Sequence, residues 1–404
     1  MTQSSAPSFG INIIGSFAHS NGLSYTGQNI ARTLIANDVK VSLLNYFMDG
    51  DEVAKIPDDL KPYVVNSLER LDQPINLYVL GIEQLRILMR DTPEIYLNTN
   101  RMHIADFWWE FTEISAIDKA ELMKFDVLLT HSQFVAEIAR NNVHFTHHIN
   151  TAHPAPTLKA LANKAHFGFS ETATAFVFAF NIFSNVTRKN PQAVIAAFKL
   201  AFPQGNEDVQ LVIKISHFEE QRHGVTLAQL KEAIGDDQRI TLHTEKLSYV
   251  EILSLYASAD VYVSLHRSEG LGLGMLESMA LGKPVIATAW SGNRDFMNMA
   301  NACMVRTAGL LRFPDNYEYA GVPFPTGARV ADPVLEDAAA YMRRLHFDPN
   351  YRRLKAEQAY KGFLEYQEKA SDVHWIDELK ECWLNAQYMP AVIGKYSAKI
   401  TDGL

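Results

Sequence analysis

Cysteine is nearly absent: the 404 residues contain two, Cys303 and Cys382. Two thiols this far apart exclude a disulfide framework and lack the spacing of a zinc site, so both read as free thiols in a reducing compartment. Long hydrophobic runs are missing as well. The longest apolar stretch, Ala173–Phe183, contains Thr174 and Asn181 and falls short of the roughly 20 residues that span a bilayer. The segment Met1–Ser8 (MTQSSAPS) has neither a basic region nor an apolar core, so no secretory signal is expected. The expectation is a cytoplasmic protein, with peripheral contact at the inner face of a membrane left open. There is no excess of positive charge: 37 Lys and Arg stand against 46 Asp and Glu, a net −9. That argues against a nucleic-acid partner, but not against an anionic ligand held by backbone amides and one or two local cations. Low-complexity segments are missing too, which excludes collagen, coiled coil and disorder as readings of the whole chain.

What is present is a large apolar fraction, 47%, enough in a chain of this length for a core that needs no staples. The length suggests two or three domains. Short apolar runs alternate with amphipathic helical stretches. Phe9–Gly15 reads as a buried strand ending in glycine, followed by a helix over Ser24–Ala36 in which Ile30, Leu34 and Ile35 share a face. Val39–Phe47, Ile75–Leu80, Glu94–Leu97, His103–Trp108, Asp126–Thr130 and Val143–His147 read as further strands, with helices at Ile82–Met89 and Gln133–Arg140. The rhythm breaks over 153–174 and restarts with strands at Ala175–Phe180, Val209–Ile215, Arg239–His243, Val261–Leu265 and Pro284–Ala289. Helices at Pro191–Phe202, Thr226–Ile234, Tyr249–Ala257 and Leu273–Leu281 lie between them. Alternation of this kind implies βαβ units and parallel sheets. The reading is α/β, with two doubly wound halves joined by a linker near 150–170. A helix is expected over Asp332–Leu345, with Pro333 near its start and arginines late, and no clear strand in the last 70 residues. In open α/β sheets ligands bind beyond the carboxyl ends of the strands, so the two halves should face a common cleft.

The most informative stretch is DVYVSLHRSEGLGLGMLESMALGKPVIATAWSGNRD, residues 260–295. It reads as one compact βαβ unit with a glycine-rich entry to its helix. The first turn of that helix offers unpaired amides and the positive end of a dipole to an anion, and Gly270, Gly272 and Gly274 let it approach the backbone. Glu269 and Glu277 flank the same loop. Carboxylates are unfavourable beside a phosphate unless they bind hydroxyls, so the pattern suggests recognition of sugar or ribose. The bland alternative is an ordinary βαβ turn with two solvated glutamates.

The segment SEGLGLGMLESMALGKPVIAT resembles the E-x7-E segment of the retaining glycosyltransferases of family four, which have the GT-B fold. It matches at Glu269, Gly270, Gly272, Glu277, Gly282, Pro284 and Val285. FSNVTRKNPQAVIAAFKLAFP (183–203) is similar to that family's phosphate-binding turn and helix. DFWWEF (106–111) and DVLLTHSQFVAEI (126–138) resemble first-domain segments of its bacterial polysaccharide members, and Gly15–Gly27 resembles the first-domain glycine loop. The resemblance spreads over about residues 10–365. It implies two Rossmann-like doubly wound domains facing a central cleft, with a C-terminal helix crossing back to the first: an acceptor-binding domain 1–165, a nucleotide-sugar domain 166–375 and a returning segment 376–404.

The resemblance also implies a retaining glycosyltransferase that moves a sugar from a nucleotide-diphosphate donor, with GDP-mannose the expected one. The acceptor would be a carbohydrate or lipid-linked glycan in surface polysaccharide synthesis. No cofactor and no metal are expected. Glu269 would bind donor-sugar hydroxyls and Glu277 the ribose. The amides of Leu271, Gly272 and Leu273 would cradle the diphosphate, with Gly15 and His266 lining the site. Lys189 matches the family's diphosphate cation. Where the family often carries Gly-Arg, this chain has Phe183-Ser184, which leaves Ser184 and Arg188 as the candidate second contact. On elementary grounds alone, a departing diphosphate needs a cation such as Lys189 and oriented amides. The bland reading of Arg188 and Lys189 is a solvated pair ahead of a helix.

On the acceptor side, Gly22, Trp109 and Glu110 are the candidates, Glu110 as a general base. Of Trp108 and Trp109 one is expected in the core, because strand side chains alternate faces. His144, His147, His148 and His153 cluster near the linker, but lack the carboxylate or sulfur company of a metal site and read as solvated or cleft-lining. Three other readings compete. A phosphorylase would call for a pyridoxal lysine, for which no motif is present. A glycosidase uses a pair of carboxylates, and with Glu269 and Glu277 assigned to binding no second pair stands out. A noncatalytic nucleotide-sugar-binding or scaffold protein would lack Glu269 or Lys189.

Overall fold

The computed structural model describes residues 9–18, 22–46, 56–96, 100–144, 146–153, 160–313, 318–319 and 321–388. The first half contains β1 (Gly10–Gly15), α1 (Gly22–Ala36), β2 (Lys40–Asn45), β3 (Val64–Val65), β4 (Ile75–Val79), α2 (Ile82–Asp91) and α3 (Pro93–Tyr96). It continues with β5 (Met102–Asp106), α4 (Ala116–Leu122), β6 (Val127–Thr130), α5 (Gln133–Asn142) and β7 (His147–Asn150). The strands form one parallel sheet in the order β3-β2-β1-β4-β5-β6-β7.

The second half restarts with β8 (Thr174–Asn181), α6 (Val186–Lys189), α7 (Pro191–Ala201), β9 (Val209–Ser216), α8 (Glu220–Ile234) and β10 (Ile240–His243). It goes on with α9 (Tyr249–Ser258), β11 (Val261–Ser264), α10 (Leu273–Ala280), β12 (Val285–Thr288) and β13 (Cys303–Val305). Its sheet is also parallel, in the order β10-β9-β8-β11-β12-β13. Both sheets reverse their strand order beside the first strand, as doubly wound folds do.

Strand parity explains why the central runs are mainly apolar on both faces. In β8, Phe176, Phe178 and Phe180 feed one core and Ala175 and Val177 the other. In β1, Ile11 and Ile13 face one side and Ile14 the opposite one. A parallel sheet covered by helices on both faces has no wet side, so alternation of polar and apolar residues is not seen.

Several expectations are corrected. Glu94–Leu97 is no strand: Pro93 opens the short helix α3, where its missing N–H costs nothing. The strand expected at Val143–His147 begins only at His147, because Val143 ends α5, its N–H bonded to the Ala139 carbonyl. The helix expected from Asp332 begins at Leu335. Asp332 and Pro333 instead close β17 (Arg329–Pro333), which pairs antiparallel with β14 (Thr307–Arg312). Between them lie the two-residue strands β15 (Glu318–Tyr319) and β16 (Val322–Pro323).

The chain returns to the first domain twice. Phe313, Phe324, Ala328 and Val330, from and around this hairpin, complete a core shared with Phe111 and Trp109. The Phe111 ring lies edge-on to Phe324 at 4.5 Å between centroids. Later come α11 (Leu335–Phe347), α12 (Pro349–Ala370) and α13 (His374–Tyr388). Trp375, Ile376, Leu379 and Trp383 of α13 join the core on one face of the first sheet, where α13 lies against β7. Leu379 is fully buried. Leu379→Ala is therefore expected to lower unfolding free energy by about 2–5 kcal/mol, measured by urea denaturation; a change under about 1 kcal/mol would show that α13 is not part of that core. No helix among the described residues is long and apolar enough to cross a membrane.

Candidate active site

In the second sheet the order reverses between β8 and β11, and the residues that follow these two strands meet at their carboxyl ends. After β8 the chain turns through Asn185, at φ 62°, whose side chain caps α6 by accepting the Arg188 N–H. After β11 come Leu265–Leu271 and then Gly272. Gly272 sits at φ 97°, a left-handed conformation that costs a glycine little and other residues more, and it opens α10. The two loops are stitched together, since Arg267 donates its N–H to the Arg188 carbonyl at 2.8 Å and Asn190 Nδ2 donates to the Leu265 carbonyl at 2.9 Å.

Glu269 is the centre of this arrangement. Lys189 Nζ donates to its Oε1 at 2.5 Å and Arg188 Nη1 to its Oε2 at 3.1 Å. Burial alone would push the carboxyl up, but Lys189, Arg188 and His266 outweigh it and hold Glu269 at about 2. Burial pulls the Lys189 ammonium below its ordinary value, opposed by the Glu269 charge. The loop after β12 supports the glutamate from below. Glu269 N–H donates to Ser291 Oγ at 2.8 Å, and Gly292 N–H donates to the Glu269 carbonyl at 3.0 Å. A Cβ on Gly292 would stand 2.0 Å from the Gly270 carbonyl oxygen, so the approach of the two loops requires glycine. Ser291 itself takes φ 72°.

Arg188 is 1% exposed, not the solvated cation of the bland reading. Besides Glu269 it donates to the Ser268 and Ser184 carbonyls at 2.9 and 3.0 Å. It also reaches across to Glu110 Oε1 at 3.4 Å. Ser184 therefore meets Arg188 through its backbone carbonyl. His266 is fully buried: its Nδ1 lies 3.0 Å from Ser264 Oγ and its Nε2 3.2 Å from the Trp290 carbonyl. Burial lowers its affinity for a proton, opposed by the Glu269 charge. Glu277, half-buried on α10, accepts from the Tyr249 hydroxyl at 2.8 Å. Burial pushes its carboxyl up to about 7, a rise that Tyr249 opposes.

The first domain supplies the opposite wall. A Cβ on Gly22, at the start of α1, would lie 3.0 Å from Leu273 Cδ1, so the N-termini of α1 and α10 meet. Gly15 ends β1, its carbonyl accepting the Tyr46 N–H. Ser132 Oγ donates to the Gly270 carbonyl at 2.6 Å. Trp109 is the core tryptophan: it is 1% exposed and its Nε1 donates to the Glu113 carbonyl. Trp108, half-buried, is the one beside the loop before α10, 3.6 Å from where a Gly270 Cβ would stand. The expected assignment of Trp109 to the acceptor side is thereby corrected. The strand ends at Asp106, so strand alternation does not extend to these rings.

Sequence reasoning missed the residues that orient Trp108. Asp106 accepts from its Nε1 and lies 2.7 Å from His131 Nε2. Of the histidines near the linker, His147 faces Glu378, His148 the Val143 carbonyl and His153 the Thr26 hydroxyl. Among the described residues no group of three or more His, Cys, Asp or Glu could hold a metal ion.

A cation-paired carboxylate and a glycine-opened helix at the switch point of one doubly wound domain, closed by a second, is the layout the comparisons bear on. Residues 169–318 match the family model described as Glycosyl transferases group 1. This stretch holds every second-domain residue of the site. The fold is GT-B. Solved structures similar to the chain include sucrose-phosphate synthase from Thermosynechococcus elongatus, with TM-score 0.64 and 14% identity over 94% of this chain and 100% of that one. HepE from Anabaena, solved with UDP and glucose, gives TM-score 0.64 and 13% identity over 93% and 100%. The pneumococcal O-GlcNAc transferase GtfA, solved with UDP and GlcNAc, gives 0.58 and 10% over 93% and 99%. No curated protein sequence matches the chain significantly. At these identities the likeness establishes the GT-B fold, and the site itself rests on the residues described above.

Proposed function

We propose that this chain is a retaining glycosyltransferase that transfers a sugar from a nucleotide-diphosphate donor to a glycan or lipid-linked glycan acceptor in surface polysaccharide synthesis. The observation that carries the reading is Lys189 and Glu269 joined at 2.5 Å beside the glycine that opens α10. In this reading the Leu271, Gly272 and Leu273 amides and the Lys189 ammonium receive the diphosphate. Both stabilise the charge that develops as the glycosidic bond breaks. Glu269, held ionised, accepts hydroxyls of the donor sugar. The carboxylate of Glu277 accepts the ribose hydroxyls.

Arg188 acts indirectly. Buried between Glu269 and Glu110, it sets the angle of the first carboxylate and ties it to the opposite domain, leaving Lys189 as the cation for phosphate. Glu110 is the acceptor-side carboxylate, and Trp108 takes the ring-contact role first expected of Trp109. Closure of the two domains excludes water that would hydrolyse the donor. No step calls for a metal or a cofactor.

The donor assignment is the part sequence reasoning reaches least. The resemblance favours GDP-mannose, whereas two of the similar structures were solved with UDP. A thermal-shift panel of GDP, UDP, ADP and their sugars separates these. One nucleoside diphosphate is expected to raise the melting temperature by several degrees at saturating concentration. No shift with any of them would remove the nucleotide-sugar reading in favour of a scaffold role.

A further inference from the structure

Tyr249 is the first residue of α9, directly after its Ser248 cap. Its hydroxyl donates to Glu277 Oε1 at 2.8 Å. Its ring stacks on that of Tyr25, with 3.9 Å between centroids and 29° between planes. Tyr25 belongs to the first domain, in the opening turn of α1, three residues after the point where Gly22 meets Leu273. A single chain of contacts thus runs from the first domain through two rings to the second carboxylate of the site. All three side chains are half-buried rather than sealed.

Chemistry gives this chain a use. A carboxylate offers about four acceptor positions, and Tyr249 takes one, leaving the others for a pair of vicinal hydroxyls. A hydroxyl bonded to one oxygen also fixes the rotation of the carboxylate plane, and a pair of hydroxyls is recognised only if that plane is held. Burial works against the ionised form of Glu277 and the phenol works for it, so the acceptor character of Glu277 depends on the same contact. The phenol stays a donor, because burial and the neighbouring Glu277 both raise its proton affinity.

We propose that Tyr249 is a positioning residue that aligns Glu277 for the ribose of the donor, and that Tyr25 makes this alignment depend on closure of the first domain. The inference rests on the reading of Glu277 as the ribose carboxylate and adds to it a coupling between ribose recognition and domain closure. Neither tyrosine touches the reacting bond.

The test compares affinities, by calorimetry, for whichever of UDP, GDP and ADP the wild-type chain binds and for the 2′-deoxy form of the same nucleotide. A site built around a hydroxyl discriminates strongly against its absence, so the wild-type chain is expected to prefer the ribonucleotide by at least about tenfold. Tyr249→Phe keeps the ring and its stack but removes the hydroxyl. It should bring the ratio to within about threefold, through weaker ribonucleotide binding, while affinity for the 2′-deoxy form changes little. Tyr25→Ala should lower the ratio as well and Tyr25→Phe should preserve it. A Tyr249→Phe variant that keeps the wild-type ratio, or loses affinity for both nucleotides equally, overturns the positioning role. A Tyr25→Ala variant with an unchanged ratio overturns the coupling to closure. A wild-type chain that binds none of these nucleotides removes the nucleotide-sugar reading and the inference with it, whereas binding without a ribose preference removes the inference alone.

Discussion

Glu269→Gln loses sugar transfer, with turnover down by at least about 10²-fold, the scale on which one oriented group at a reacting centre counts. The amide keeps the shape of the side chain but not the charge that Lys189 and Arg188 share at 2.5 and 3.1 Å. Lys189, its side chain 17% exposed, then loses its full counter-charge, while Arg188, 2% exposed, keeps that of Glu110. Removing one member of a buried pair costs about 3–5 kcal/mol, and the Glu110 carboxylate near Arg188 places the expected loss at the lower end. Glu269→Ala removes the same charge, and the double pairing predicts that it too loses stability as well as transfer. The pH dependence has a definite sign. A carboxyl held at about 2 rather than 4.5 stabilises the fold above its unfolded value, and that contribution disappears as pH falls from about 4.5 to about 2. In Glu269→Gln this part of the acid-unfolding curve flattens. Product formation measured by chromatography, beside thermal unfolding of the same samples, checks both halves. A variant that turns over like the wild type would refute the site.

Lys189→Ala weakens nucleoside-diphosphate binding by about 10- to 100-fold. This follows from about 1.5–3 kcal/mol for a hydrogen bond to a charged group, at 1.4 kcal/mol per tenfold. The loss has two parts: the ammonium no longer meets the phosphate, and Glu269, now paired with Arg188 alone, stands less neutralised beside an incoming anion. Its carboxyl rises from about 2 toward the ordinary range, so the low-pH stability window of the wild type narrows. Titration calorimetry should show the loss with the diphosphate and not with the bare nucleoside. Equal affinity for the diphosphate in wild type and variant would show that Lys189 serves only to neutralise Glu269.

Much of this molecule is legible in its sequence. The central strands of both sheets are short, mainly apolar runs because a sheet covered on both faces buries nearly every side chain, as along β1 and the first five residues of β8. The loop before α10 was readable for a similar reason, since a backbone that must approach an anion and start a helix within a few residues leaves a local trace of glycines. Where the reading went wrong, the cause was non-local or lay at an element's edge. Trp108 and Trp109 exchange places because β5 ends at Asp106, and an alternation rule stops where the strand stops. Asp332 and Pro333 look like the start of a helix, yet they end a strand paired with residues 307–312; nothing within a helical turn of them reveals the partner. The partners of Arg188 are not legible in the sequence either, because its counter-ions lie 81 residues ahead and in the opposite domain.

The division follows from range. Sequence by itself determined the parallel α/β halves and the glycine-opened helix and singled out Glu269 and Lys189, since each depends on periodicity or on backbone needs confined to a few neighbours. Only the tertiary structure decided which cation pairs with which carboxylate, which tryptophan faces the loop before α10, and that Tyr25 meets Tyr249. Those contacts join segments up to more than 200 residues apart, and burial strengthens electrostatic pairing only once both domains have excluded water.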